Sequence, residues 1–227
     1  LPCVFAIDRA GFVGADGPTH HGLYDIGYLR AFPGFVVMAP ADAAELRLML
    51  EFALGCGKPV GIRYPRAAVV DSVGGSGPGQ IELGRALTLR QGPDATIIAY
   101  GVTASAALAA AQALSRDGIQ AGVLNARFAK PLDEEAILAA AARGPIVTVE
   151  EHALAGGFGS AALEMLAERG MPARVTCLGA PDRFVEHGDL GRILASLSID
   201  AGGIAGAVKA ALSGGGVGGR RGGKGTK

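Results

Sequence analysis

The 227-residue sequence has no tryptophan, only three cysteines and no long uninterrupted apolar run. Cys3, Cys56 and Cys177 are far apart and odd in number, which argues against a disulfide framework and against a zinc site. No apolar run approaches the length of about 18 residues that spans a bilayer. We therefore expect a cytoplasmic protein with no membrane partner. The start at Leu1 indicates that the true N-terminus is missing, which leaves open an organellar presequence.

The sequence also lacks a net charge, because 21 Lys and Arg balance 21 Asp and Glu. The balance is uneven, since residues 213–227 carry eight glycines, four basic residues and no acidic residue. The remainder of the chain has 17 basic and 21 acidic residues. Zero net charge gives no reason to expect nucleic acid as a partner. We expect 213–227 to be a disordered, Gly-rich basic tail.

The apolar residues, 49% of the sequence, follow the pattern of alternating strands and helices. In residues 1–66 they predict strands at 3–7, 35–38 and 60–64. A helix follows the second strand, and Asp42 and Glu45 at its start have the spacing of a capping box. A strand-helix-strand unit indicates a parallel sheet. Three strands and one helix do not cover both faces of such a sheet, so we expect only part of a domain here.

A shift to Gly, Ser and Pro predicts an interdomain linker at 67–82. Beyond it, residues 83–212 have the size of a whole α/β domain. The predicted strands of this second block are 96–100, 121–125, 146–150 and 174–178, and its predicted helices are 103–116, 134–143, 159–169, 190–197 and 201–212.

The connection between the first two strands, residues 8–34, is long for a compact domain and therefore indicates function. It carries a cation, Arg9, a carboxylate, Asp16, and an acid/base candidate for neutral pH, His20. Simpler roles stay open at this point. Arg9 has a possible ion-pair partner in Asp8 or Asp16, and Asp16 also has the chemistry of a turn residue.

Arg66, in the RYPR segment 63–66, follows the end of a predicted parallel strand, as Arg9 does. Ligands of open α/β sheets bind outside the carboxyl ends of the strands. Two guanidinium groups at neighbouring strand ends can converge on one phosphate or carboxylate. The alternative is that Arg66 only anchors the linker.

Six segments resemble one known family. They are AIDRAGFVGADGPTHHGLYD (6–25), PADAAE (40–45), RYPR (63–66), ARFAKPLDEEAI (126–137), TVEEHALAGGFGS (148–160) and GAPDRFVEHG (179–188). Together they resemble the 1-deoxy-D-xylulose-5-phosphate synthase family of the transketolase superfamily.

The resemblance implies a fold of three-layer, parallel-sheet α/β domains. Residues 1–66 would be the C-terminal half of a pyrimidine-binding domain, and 83–212 a transketolase C-terminal domain. The implied reaction condenses pyruvate, with loss of CO2, and D-glyceraldehyde 3-phosphate, and its product enters isoprenoid, thiamine and pyridoxal synthesis. The implied cofactors are thiamine diphosphate and Mg2+, and the implied assembly is a homodimer.

The resemblance also implies roles for single residues. Arg9 and Arg66 correspond to arginines that hold the phosphate of the acceptor. Asp16 corresponds to the partner of an acceptor hydroxyl. His20 corresponds to a histidine that handles protons beside the reactive carbon of the cofactor.

Two features that the family needs for cofactor binding do not occur in this sequence. The family's cofactor-activating glutamate would lie upstream of Leu1, and the GDG motif that holds the diphosphate through Mg2+ does not occur. We therefore expect a C-terminal portion that is inactive alone and supplies no metal ligand, with Glu150 and Glu151 where the family has structural and dimer contacts. The alternative is a free-standing subunit or dimerisation module of a split transketolase or of a 2-oxoacid dehydrogenase β-type enzyme.

Overall fold

The computed structural model describes residues 1–68, 73 and 80–214. In chain order its elements are β1 (Val4–Ile7), α1 (Asp25–Ala31), β2 (Val36–Met38), α2 (Ala43–Gly55), β3 (Val60–Arg63), β4 (Leu87–Arg90), β5 (Ala95–Tyr100), α3 (Thr103–Arg116), β6 (Ala121–Asn125), β7 (Phe128–Lys130), α4 (Glu134–Arg143), β8 (Ile146–Ala153), α5 (Phe158–Glu168), β9 (Val175–Ala180), α6 (Leu190–Ser196) and α7 (Ala201–Leu212).

The first sheet has the strand order β1-β3-β2-β7. The first three strands are parallel, and β7 joins β2 in the antiparallel sense. Side chains of β2 alternate between the two faces. Val36 and Met38 pack with α2, whereas Val37 packs with α1 and with residues of the second sheet. The first sheet therefore has one face covered by its own helix and the other covered partly by the second half of the chain.

The second sheet has the order β4-β6-β5-β8-β9, in which β4 is antiparallel and the others are parallel. Ile97 and Ala99 of β5 pack in a cluster with α3 and α7. Ile98 and Tyr100 of the same strand pack in a cluster with α4 and α5. Helices therefore lie on both faces, which gives the three layers expected of a parallel α/β domain.

Aspartates begin four of the helices. Asp42 Oδ1 accepts from the Glu45 N–H at 2.8 Å, and Asp133, Asp189 and Asp200 cap α4, α6 and α7 in the same way. The capping box predicted for α2 is only half formed. The Glu45 carboxylate instead accepts from the Ala41 N–H at 2.7 Å and turns towards the second half of the chain.

The structure confirms the predicted parallel α/β organisation, with helices 103–116, 134–143 and 201–212 at the predicted bounds. It adds α1, β4 and β7, which were not predicted. Most of the predicted linker 67–82 and the tail residues 215–227 lie outside the described residues. Ile81, inside the predicted linker range, is buried against the first sheet.

One segment of the described chain, Leu190–Leu212, is long and apolar enough to cross a membrane by length and composition alone. It consists of α6 and α7, which a turn at residues 197–200 separates. Ile193, Ile204 and Val208 are buried in the core of the second sheet. Core helices of folded domains pass the same test, so the segment is weak evidence for a membrane span.

Candidate functional site

The predicted site residues lie at the carboxyl edge of the first sheet. Ile7 at the end of β1 is in register with Arg63 at the end of β3, so the chain leaves both strands side by side. The Ala10 N–H then donates to the Tyr64 carbonyl at 3.0 Å. Gly11 and Gly22 exchange two backbone hydrogen bonds of 2.9 Å. These bonds close residues 11–22 into a loop, which we call the site loop.

Two of the four predicted site residues meet directly. Arg66 Nη1 donates to Asp16 Oδ2 at 2.6 Å, although the residues are 50 positions apart. The Arg66 side chain is 60% exposed and that of Asp16 is 31% exposed. The pair therefore presents a hydrogen-bond donor and a hydrogen-bond acceptor to solvent, side by side.

The structure places Arg9 in a different contact. Its Nη1 lies 3.3 Å from Asp8 Oδ2, which is one of the simpler roles that the sequence left open. The backbone of Arg9 has a φ of 56°, in the left-handed region that non-glycine residues rarely adopt. Its buried Nε has no hydrogen-bond partner among the described residues. Convergence of Arg9 and Arg66 on one anion stays a prediction.

His20 is exposed near the C-terminal end of the site loop. Its Nδ1 lies 2.9 Å from the Thr19 hydroxyl. Accessibility of the imidazole is compatible with the predicted proton-handling role, which also stays a prediction.

The neighbouring His21 is buried and structural. Its Nδ1 accepts from the Val13 N–H at 2.9 Å, so the proton is on Nε2, which lies 3.1 Å from the Val185 carbonyl. Burial lowers the pKa of His21, and the bond to Val185 offsets this only in part. The neutral imidazole therefore ties the site loop to the second half of the chain.

Glu151, at the end of β8, holds the start of the site loop. Its buried carboxylate accepts from the Phe12 N–H at 3.0 Å. Gly11 has a φ of +82°, and a Cβ placed on it would lie 2.4 Å from Glu151 Oε2. Glycine is therefore required at position 11 both for its backbone conformation and for this close approach.

A buried ion pair lies beneath the site loop. Arg63 donates to both carboxylate oxygens of Asp25, at 2.8 and 3.1 Å, and to the Gly22 carbonyl at 3.0 Å. It also donates to the Glu151 carbonyl at 3.3 Å and lies 5.8 Å from the Tyr100 ring centroid. Arg63 thereby links the C-terminal end of the site loop to the second sheet.

Glu150 and His152, on either side of Glu151, hold two other elements. Glu150 accepts from the N–H groups of Phe158 and Gly159 at 2.6 and 2.8 Å, so its carboxylate occupies the N-terminus of α5. Burial raises the pKa of Glu150 to about 7, although these two bonds oppose the shift. His152 Nε2 accepts from the Ile26 N–H at 3.1 Å, and burial together with the charge of Arg63 lowers its pKa to about 4.

The described residues contain no group of three or more His, Cys, Asp or Glu side chains able to hold a metal ion. Mg2+ at a diphosphate usually takes one or two carboxylates together with phosphate oxygens and water. The adjacent carboxylates of Glu150 and Glu151 are buried and accept from backbone N–H groups, so these two do not fit that role.

A cleft of about 390 Å³ lies between the two halves of the chain, beside Tyr64 and Pro65. Its lining is mostly apolar, and its charged groups among the described residues are the carboxylates Asp42, Glu151 and Asp200. Carboxylates repel an anion, so the lining of this cleft does not favour a phosphate.

Sequence reasoning missed the residues that hold the site in place. Asp25, His21 and the site-loop contact of Glu151 were not predicted, and Arg63 was noted only as a strand-end residue. The signal was present as charged residues inside apolar strand ends, such as EEH at 150–152 and the first arginine of RYPR. Buried charges need partners, but the sequence does not show which distant groups supply them.

Two family models match the chain. The transketolase pyrimidine-binding domain matches residues 1–70, and the transketolase C-terminal domain matches residues 84–204. Curated relatives include 1-deoxy-D-xylulose-5-phosphate synthase 1 of Geobacter sulfurreducens, which is 53% identical over 215 residues. The synthase of Aquifex aeolicus is 48% identical over 216 residues. These matches cover 94% and 95% of this chain and 34% of each relative, so the chain spans about a third of their length.

Solved structures agree with the family models. A split-gene transketolase, described as an inactive β4 tetramer, is 34% identical with a TM-score of 0.81, over 92% of this chain and 66% of the other. A transketolase from Pichia stipitis, 24% identical with a TM-score of 0.73 over 94% of this chain and 30% of the other, shares the fold. The two family models, one of which alone matches more than half of the chain, show that the chain belongs to the transketolase family.

Proposed function

We propose that this chain is the C-terminal portion of a thiamine-diphosphate-dependent 1-deoxy-D-xylulose-5-phosphate synthase. Such an enzyme joins pyruvate, with loss of CO2, to D-glyceraldehyde 3-phosphate, at the entry to isoprenoid synthesis. The relatives named as this synthase support the assignment. The observation that carries it is the exposed Asp16–Arg66 pair at the carboxyl edge of a parallel sheet.

In this proposal the pair binds the acceptor. One nitrogen of Arg66 is engaged by Asp16, and the other nitrogens of the fork stay available for phosphate oxygens. Asp16 accepts a hydrogen bond from a hydroxyl of the same molecule. Binding energy from the phosphate then orients the aldehyde for reaction. Arg9 joins this site once its guanidinium leaves Asp8.

His20 moves a proton in the proposed reaction. Its ring lies four positions after Asp16 on the same loop and is exposed, and the two ring nitrogens can donate and accept a proton. Thiamine diphosphate supplies the two-carbon chemistry, and the groups that hold it and Mg2+ belong to a longer polypeptide. We further propose that the full-length enzyme is a homodimer in the cytoplasm.

The edge of the first sheet supports the idea that more polypeptide belongs here. Among the described residues β1 pairs with a strand on one side only. Phe5 in this strand is 49% exposed, whereas strands of parallel sheets are normally covered on both faces. We therefore infer that the isolated chain neither binds thiamine diphosphate tightly nor turns over.

A free-standing subunit is the second candidate. The likeness to the split-gene transketolase favours it, because that protein is divided between genes by its own description. In this case the missing two thirds would be a separate chain that associates with this one.

One experiment separates the candidates. Three samples are assayed for product from pyruvate and glyceraldehyde 3-phosphate. They are the isolated chain, a fusion of this chain with the upstream two thirds of the Geobacter relative, and a mixture of the same two pieces expressed separately. We expect no product from the chain alone and product from the fusion. Product from the mixed pieces at a comparable rate supports the free-standing subunit.

Two outcomes contradict the proposal. Pyruvate decarboxylation by the isolated chain removes the inference that it is incomplete. A stable, folded fusion that binds thiamine diphosphate but forms no product removes the synthase assignment. Within an active fusion, Arg66→Ala should raise the KM for the aldehyde far more than the KM for pyruvate, because only the aldehyde carries the phosphate.

A further inference from the structure

A loop of the second half of the chain packs on the site loop. We call residues 181–189, between β9 and α6, the covering loop. It contacts the site loop through His21 Nε2 and the Val185 carbonyl, 3.1 Å apart, and through the Gly188 N–H, which donates to the Gly14 carbonyl at 2.8 Å. These two contacts fix the backbone of the covering loop on both sides of His187.

His187 lies against the residue that follows Asp16. A Cβ placed on Gly17 would lie 2.9 Å from the His187 Cβ and 3.3 Å from its backbone nitrogen. Asp16, the residue before Gly17, carries the ion pair with Arg66. His187 therefore contacts the direct neighbour of this pair, although it comes from the opposite half of the chain. Its imidazole is exposed and has no hydrogen bond or ion pair with the described residues.

We propose that His187 is a further acceptor-binding residue, which donates a ring N–H to the phosphate that Arg66 binds. This inference rests on the proposed function of the site. Arg66 gives one nitrogen to Asp16 and Arg9 gives one to Asp8, so part of each guanidinium is already engaged. Each of the three phosphate oxygens can accept more than one hydrogen bond, so the ring N–H adds a donor to those that the arginines keep.

Through His187, the second half of the chain would contribute a ligand-binding group to the acceptor site. The imidazole has a free ring N–H in either neutral tautomer, because neither nitrogen has a partner among the described residues. The backbone on both sides of His187 is held against the site loop, so a ligand has only the side chain to order. The acceptor site is thus built from both halves of the chain.

The test compares variants in the active fusion. For His187→Ala we expect the KM for glyceraldehyde 3-phosphate to rise about ten-fold, the effect of one hydrogen bond to a charged group. The KM for pyruvate and kcat should change less than about two-fold. His187→Gln, whose amide N–H can also donate, should recover part of the affinity. The matched control is Glu186→Gln, an exposed neighbour on the same loop.

Arg66→Ala in parallel separates the two hypotheses. If Arg66→Ala raises the KM for the aldehyde and His187→Ala does not, the inference about His187 is overturned and the proposed function stands. Equal changes of both KM values for His187→Ala also overturn it. If no fusion is active, the inference is tested on the 227-residue chain by NMR with inorganic phosphate. There the His187 ring protons should shift more than with sodium chloride of equal ionic strength, and equal shifts overturn it.

Discussion

The two sheets of this chain differ in how they bury their strands. All six residues of β5 in the second sheet are buried, because the strand has neighbours on both sides and helices on both faces. In β1 of the first sheet none of the four residues is fully buried, since the strand lies at an edge. A parallel strand is stable when both faces are covered. The first half of the chain therefore depends on contacts that it does not make by itself.

The second half supplies several of these contacts. It provides β7, whose Phe128 is buried between β2 and α2. It also provides Arg127, which donates to the buried Glu45 of α2 at 2.7 Å, and Asn125, which donates to the same carboxylate at 2.9 Å. The first sheet therefore depends on residues of the second half of the chain. We call this the one-sided dependence, and substitutions can test it.

The largest effect is expected for Arg127→Ala. The substitution leaves Glu45 buried without its cation, and breaking a buried ion pair in this way costs about 3–5 kcal/mol of stability. Urea unfolding of the 227-residue chain measures the loss. Hydrogen exchange should show that β2 and β3 lose more protection than β5 and β8.

The matched control is Arg169→Ala, because Arg169 pairs with Glu134 at the surface. It should cost less than about 1 kcal/mol. Equal losses from the two substitutions, or equal loss of protection in the two sheets, would contradict the one-sided dependence.

The next effect concerns pH and His152, which connects β8 to α1. Its pKa is lowered to about 4 from the ordinary value of 6.5, so the unfolded chain binds more protons between these pH values. Its contribution to stability is complete above pH 6.5 and is lost as the pH falls to about 4, by up to about 3 kcal/mol. Glu150, with a pKa raised to about 7, acts in the opposite direction between pH 4.5 and 7.

The variant His152→Gln isolates this contribution, since Glu150 stays in both proteins. Urea unfolding at a series of pH values should show the difference between the two proteins shrinking as the pH falls below 6.5. A difference that is constant from pH 7 to 4 would show that His152 does not carry the linkage.

The smallest effect is expected for Phe5→Thr at the exposed edge of the first sheet. Phe5 contacts Phe35, with ring centroids 5.7 Å apart, but half of its surface faces solvent. In the 227-residue chain we expect a loss of less than about 1 kcal/mol, because threonine suits a strand.

The same substitution sharpens the comparison when it is made in the fusion. If upstream polypeptide covers β1, the loss should rise to about 2 kcal/mol or more, as for a buried aromatic side chain. Phe184→Thr in the second half, where Phe184 is 74% exposed, should have little effect in either protein. An unchanged cost for Phe5→Thr in the fusion would show that the edge stays uncovered.

The parts of the fold that the sequence predicted are those with short-range signals. Helix α3 was predicted from Thr103 to Arg116 by an apolar period of 3.6, and β6 from Ala121 to Asn125 by a short apolar run. Helix α1 was missed because its seven residues contain a glycine and its N-cap residue, Tyr24, makes no side-chain cap hydrogen bond. Strand β7 has three residues, which is too short for a period to appear.

The residues of the candidate site were also predicted in part, where the signal lies close together in the chain. The length of the 8–34 connection and its polar residues indicated Asp16, His20 and Arg9 without any knowledge of contacts. The pairing of Asp16 with Arg66 across 50 residues, and of Arg9 with its own neighbour Asp8, is a tertiary result. The contact of His187 with Gly17, across 170 positions, is likewise a tertiary result.

The amino-acid sequence by itself determined most of the strands and helices, the family resemblance and the loop that carries the candidate site residues. Each of these depends on residues that are close together in the chain. Only the tertiary structure decided that β7 enters the first sheet and that Glu151 and the covering loop hold the site loop. The physical reason is that buried polar groups must find partners wherever the packing places them, and here those partners are as far as 164 positions away.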